Sequence, residues 1–127
     1  MKGRWINALS VALAVVYGFA GTAKLLGAEM MAERFAMWGY PEVVMFVVGM
    51  IEVLGAVGLL IPKFASPAAI MLVLVMLGAM YTHLFRGFAP LAIVPAVFVA
   101  LLASVAKRRL NTPQSWILSW RREVGAR

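Results

Sequence analysis

The chain has 127 residues, 64% of them hydrophobic, and a net charge of +7. Soluble domains sit nearer half apolar, so the excess points to lipid, and the length suits one domain with no room for a soluble catalytic domain beside it. There is no cysteine and one histidine, His83. That excludes disulfides, thiol catalysis, cysteine-held zinc, iron–sulfur clusters, c-type haem and a bis-histidine haem within one chain.

In chain order, the first apolar segment is Trp5–Leu26, preceded by the basic stretch Met1–Arg4. A signal peptide has the same plan, but the run is longer than a typical apolar core of one and no clear cleavage site follows. It is read as a retained first span. Gly27–Pro41 is not a plain loop: Met31, Phe35 and Trp38 fall at i, i+4 and i+7, with Glu29, Glu33 and Arg34 largely opposite. This spacing predicts a short amphipathic helix lying at the interface and capping the bundle. Gly39 is expected to end it, and Pro41 and Glu42 suit the start of the next helix. Trp38 and Tyr40 read as interfacial anchors rather than a ligand cage.

The second, third and fourth segments are Val43–Ile61, Phe64–Phe85 and about Ala89–Ala106. Each is long enough, at about 1.5 Å per residue, to cross a hydrocarbon layer of about 30 Å. Lipid offers no hydrogen bonds to the backbone, so such spans are helices. Pro62–Lys63 with Ser66–Pro67, and Arg86–Gly87 with Pro90, read as short links between antiparallel neighbours. Pro90 and Pro95 are expected to bend the fourth span.

The expected fold is therefore an all-α, antiparallel four-helix transmembrane bundle over residues 1–106, followed by a basic cytoplasmic tail, 107–127. Trp116, Ile117, Leu118 and Trp120 suit the tail to the headgroup region. Nine Lys and Arg fall on the side of the termini and three, Lys24, Arg34 and Arg86, on the other. Both termini are thus expected in the cytoplasm and the connector outside, across a plasma (inner) membrane. The basic residues flank apolar spans, so they read as orientation signals and contacts with anionic lipid, not as a nucleic-acid surface.

Glu52 is the most informative residue. It is the one charge inside its span, and a bare carboxylate at mid-bilayer costs about 3 kcal/mol or more. It must be protonated, paired or wetted. Gly49, Gly55 and Ala56 share its face and permit a close neighbour, so Glu52 is expected to point inward. Tyr17, Gly21 and Lys24 share a face of the first span. Lys24 and His83 end spans running in the same direction, each roughly 13 Å above the midplane by helical rise. The result is a polar column: Lys24 and His83 above, Tyr17 and Glu52 below, with Thr22 and Thr82 offering hydroxyls. The column suits a lipophilic molecule with a polar head, or a proton path; a purely structural staple between Glu52 and Lys24 or Tyr17 stays open beside these. Met76, Met80 and His83 share a face that suits Cu(I), but adaptable packing accounts for the nine methionines better. No metal site is assigned.

The pattern resembles the DoxX-like family of small four-helix membrane proteins. The residues that carry it are Gly21-Thr-Ala-Lys24-Leu, Gly39-Tyr-Pro41, Gly49-Met-Ile-Glu52 with Gly55 and Pro62, and Gly78-Ala-Met-Tyr-Thr-His83. It runs from about Val16 to Pro95 and leaves out the Trp-bearing tail. The resemblance implies a four-helix bundle with Lys24, Glu52 and His83 at recurrent polar positions. It also implies a link to quinol oxidation, to membrane oxidoreductase complexes or to their assembly. Without cysteine, redox work would pass through a bound quinone or a partner. The leading expectation is an accessory protein that binds a quinone-like or other lipophilic molecule, or scaffolds a membrane redox or oxidase complex. Two rivals stand beside it. One is an enzyme or proton-coupled carrier with Glu52 as proton donor and acceptor; the other is an assembly factor without a ligand. Gly18, Gly21 and Thr22 suit packing within the bundle or between copies in a homo-oligomer.

Overall fold

The structure is a computed structural model and describes residues 2–111; the aromatic part of the tail, Trp116–Trp120, lies outside them. The elements are α1 (Lys2–Leu25), α2 (Glu29–Met37), α3 (Glu42–Leu60), α4 (Pro62–Phe85), a 3₁₀ turn (Ala89–Ala92) and α5 (Ile93–Asn111). Four helical stretches are long and apolar enough to cross a membrane: Trp5–Leu25, Glu42–Leu60, Pro62–Phe85 and Ala89–Arg108. The four expected spans are present, each within a few residues of its expected bounds.

The ends of the helices follow from local chemistry. After α1, Gly27 turns left-handed at φ 69°. This lets the Gly27 N–H donate to Lys24 and the Ala28 N–H to Ala23, the Schellman pattern that satisfies terminal carbonyls. The same device ends α2: Gly39 has φ 84°, its N–H donates to Ala36, and the Tyr40 N–H reaches back to Phe35. A side chain at either position would strain the backbone. Pro41 stands just ahead of α3 as its extended N-cap rather than inside its first turn.

The link between α3 and α4 is shorter than expected. Ile61 alone is extended, at φ −103° and ψ 112°, as a residue before proline prefers. Pro62 opens α4, where its missing N–H costs nothing. Lys63, Ser66 and Pro67 therefore belong to the helix, not to the link. Pro67 leaves one carbonyl, that of Lys63, without its usual donor. Pro90 lies in the 3₁₀ turn and Pro95 in the first turn of α5. Both prolines thus shape the start of the last span, where few backbone donors are lost.

The helices form a ring in the order α1, α3, α4, α5, with α1 and α4 on a diagonal. Contacts show every neighbouring pair to be antiparallel. Gly21 meets Gly49 while Gly18 meets Ala56; Gly55 meets Leu72 while Gly58 meets Ala68. Ser66 donates to the Ala106 carbonyl at 3.3 Å, and Tyr17 meets Phe98. The α1–α3 crossing is tight: a methyl group on Gly21 would fall 2.7 Å from the Gly49 carbonyl oxygen. Gly18 and Gly21 thus pack within the bundle, whereas Thr22 is exposed.

The apolar core gathers at the end of the bundle that holds the N-terminus. It joins Ile6, Leu13 and Ala14 of α1 to Leu59, Leu72, Leu102 and Val105. The other end, which carries α2, is packed around a cavity.

Candidate functional site

Glu52 is buried at 2% exposure on the inner face of α3. The Lys24 ammonium reaches down from α1 to its carboxylate, with Nζ 3.0 Å from Oε1 and 3.2 Å from Oε2. The contact depends on the glycine crossing above it. A methyl on Gly49 would lie 2.8 Å from the Lys24 Cβ, so only glycine lets the two backbones approach this closely.

The pair lines a cavity of about 520 Å³ between the four spans at the α2 end. Its walls are mainly apolar: Val16, Val44, Val48, Val75, Met76, Val94 and Phe98. Tyr17, Lys24, Glu52, Thr82 and His83 bring polar groups to it. Tyr17 is 3% exposed, with its ring edge-on to Phe98 at 5.7 Å. Its hydroxyl is buried and has no hydrogen-bond partner among the described residues; the same holds for His83 Nδ1. Buried polar atoms are nearly always paired, so two orphans on residues that line one cavity stand out.

All four residues singled out from the sequence (Tyr17, Lys24, Glu52 and His83) line this one cavity. Lys24 and Glu52 make direct contact, whereas Tyr17 and His83 each face the cavity without touching the pair through a hydrogen bond. Thr82 belongs to the group; Thr22 does not.

Sequence reasoning missed part of the wall. Arg34, Phe35, Trp38 and Tyr40 also line the cavity, because α2 and the turn after it fold across its end. The left-handed turn at Gly39 swings Tyr40 inward. Thr82 donates to the Gly78 carbonyl at 2.9 Å; with that hydrogen committed, Tyr40 is the donor in its 2.8 Å bond with Thr82 Oγ1. Trp38 meets the His83 ring edge-on at 5.3 Å. Arg86 donates to the Trp38 carbonyl at 3.1 Å and lies over the Tyr40 ring at 5.1 Å. The connector is thus latched to the end of α4. The stripe Met31, Phe35 and Trp38 is the signal for this, but its inward face and the role of Tyr40 depend on contacts distant in sequence.

The cavity therefore offers an apolar volume, an aromatic end wall, a buried ion pair and two unpaired polar atoms. No curated protein and no solved structure matches the chain. The model of the DoxX-like family matches residues 8–105, a stretch that includes the two middle spans whole, most of the first and last, and every residue of the cavity, and the chain belongs to that family.

Proposed function

We propose that this protein is an accessory membrane protein that binds a quinone-like molecule in the cavity beside Lys24 and Glu52. The observation that carries the reading is the pairing of a largely apolar cavity of about 520 Å³ with two buried, unpartnered polar atoms, Tyr17 Oη and His83 Nδ1. Binding sites for small lipophilic molecules are built this way, apolar with a few placed polar groups. A quinone head is planar and carries carbonyl acceptors. The Tyr17 hydroxyl can donate to one, and the Lys24 ammonium has hydrogens beyond those it gives to Glu52. Trp38 and Phe35 offer aromatic faces to a ring. The chain has no thiol, so electrons in a redox system would rest on the bound molecule or a partner complex. The excess of Lys and Arg on the side of the termini supports an orientation with both termini in the cytoplasm and α2 on the outer face.

The test is direct. Protein extracted with its native lipid is assayed for co-purifying quinone by mass spectrometry, beside Glu52→Gln and Lys24→Met. Retention by the wild type and loss in both variants supports the reading. Absence of ligand, with variants that lose only thermal stability, leaves the ion pair as a helix staple and removes the binding site.

A further inference from the structure

The ring of helices is not closed along its whole length. The α1–α5 contact is the least extensive of the four neighbouring pairs. On α5, one helical stripe runs through Val105, Leu101, Phe98 and Val94. Val105 is fully buried, Leu101 and Phe98 are half-buried, and Val94 is 51% exposed. On α1, Val16 is 44% exposed, whereas Tyr17 next to it is 3% exposed. Tyr17 and Phe98 meet ring to ring across this seam. Beside it, Val16, Ala20 and Val94 line the cavity, and the two valines are also exposed on the outside of the bundle.

The end of the cavity away from the core is treated oppositely. There Trp38, Tyr40, Thr82, His83 and Arg86 form the latch described above. Among the described residues no comparable polar contact spans the α1–α5 seam beside the cavity. A single cavity thus has a fastened face toward water and a loose, wholly apolar face toward the acyl chains.

We infer that the cavity opens sideways into the bilayer between α1 and α5, and that its ligand is an amphiphile dissolved in the membrane, not a solute arriving from water. The inference rests on the binding reading above and narrows it. The tail of the ligand lies across Val16 and Val94 and projects into lipid, so the cavity need hold only the head and the first part of the tail. Phe98 and Tyr17 form the sill that stops the tail from sliding toward the core.

The portal is tested on the full chain in phosphatidylcholine vesicles whose acyl chains carry a diazirine. After irradiation, adducts are mapped by mass spectrometry. Ala20 and Phe98 are expected to carry acyl-chain adducts, while Leu13 and Leu102 in the closed half carry none. Adducts confined to outward faces, such as Val11 and Leu74, with Ala20 and Phe98 unmodified, overturn the portal. The absence of native cysteine allows a second arm. Val94→Cys is folded and reconstituted first and then alkylated with a bulky maleimide. Alkylation there is expected to remove the Phe98 adduct and to slow association of decyl-benzoquinone at least tenfold, whereas the same treatment of Leu74→Cys changes neither. Unchanged Phe98 labelling and association after alkylation of Val94→Cys also overturn it. If decyl-benzoquinone binds neither form, the binding reading fails, and the lipid adducts decide the portal on their own.

Discussion

Glu52 and Lys24 carry opposite charges into an apolar bundle, and each makes the other tolerable. At 3.0 Å, with the carboxylate almost fully buried, loss of one partner strands the other. Such losses cost about 3–5 kcal/mol in soluble cores. Polar contacts inside membranes average nearer 0.6 kcal/mol, because the unfolded helices also find partners. Lys24 keeps an 11% exposed side chain and can withdraw toward the headgroups, so Glu52→Gln is expected to cost about 1–2 kcal/mol. The double variant Lys24→Met/Glu52→Gln should lie closer to wild type than the sum of the single changes. Thermal unfolding in detergent, set out as a double-mutant cycle, measures this; strict additivity would deny the coupling. Tyr17 leads to the opposite expectation. Its hydroxyl is buried without a partner, a state that costs about 1–3 kcal/mol. Tyr17→Phe should therefore leave stability equal or higher while weakening quinone binding by about tenfold, the worth of one good hydrogen bond. A variant that loses stability and keeps its affinity would show the hydroxyl to be structural.

Between elements, glycine decides how closely α1 and α3 approach. Gly21 and Gly49 face one another with no room for a methyl, whereas a methyl on Gly78 would meet nothing within 4 Å. Gly49→Ala should push the helices apart and cost about 1–3 kcal/mol, as overpacking does. It should also lengthen the Lys24–Glu52 contact. Gly78→Ala should be neutral or gain a few tenths of a kcal/mol from helix propensity. Thermal unfolding of the two variants side by side checks the contrast, and equal effects would contradict the register. The close crossing was readable in outline, because Gly49, Gly55 and Ala56 recur on the face that bears Glu52. The latch was not. Its parts, Trp38, Tyr40, Thr82, His83 and Arg86, come from two distant segments, and the backbone reversal at Gly39 brings them together. Local periodicity reports which face of α2 is apolar; it does not report what that face covers. The same limit hid Pro62 and Pro67 inside α4, since proline signals a helix start and a link with equal strength.

At the scale of the molecule, spans, their order and their antiparallel sense were legible because lipid leaves the backbone few choices. Helical rise alone assigned Lys24 and His83 to one end of the bundle, and both line the cavity there. What hydropathy could not show is the unequal packing of the two ends, since a residue facing a cavity and one facing a neighbour are equally apolar. Orientation in the membrane rests on charge. Lys63, Lys107 and Arg108 lie at the end of the bundle that holds the N-terminus, and Lys24, Arg34 and Arg86 at the other. The latter three are engaged in or beside the site: Lys24 with Glu52, Arg86 with the Trp38 carbonyl, and Arg34 at the cavity wall. They are held by the fold and are three against nine, so they weigh little in setting topology. Reporter fusions after Arg109 and near Glu33 should therefore fall on opposite sides, the first in the cytoplasm. Neutralising Arg34 and Arg86 should leave that result unchanged, while neutralising Lys63, Lys107, Arg108 and Arg109 together should produce a mixed or inverted population. Same-side reporters in the wild type would contradict an odd number of crossings between the two points, and with it the four-span bundle.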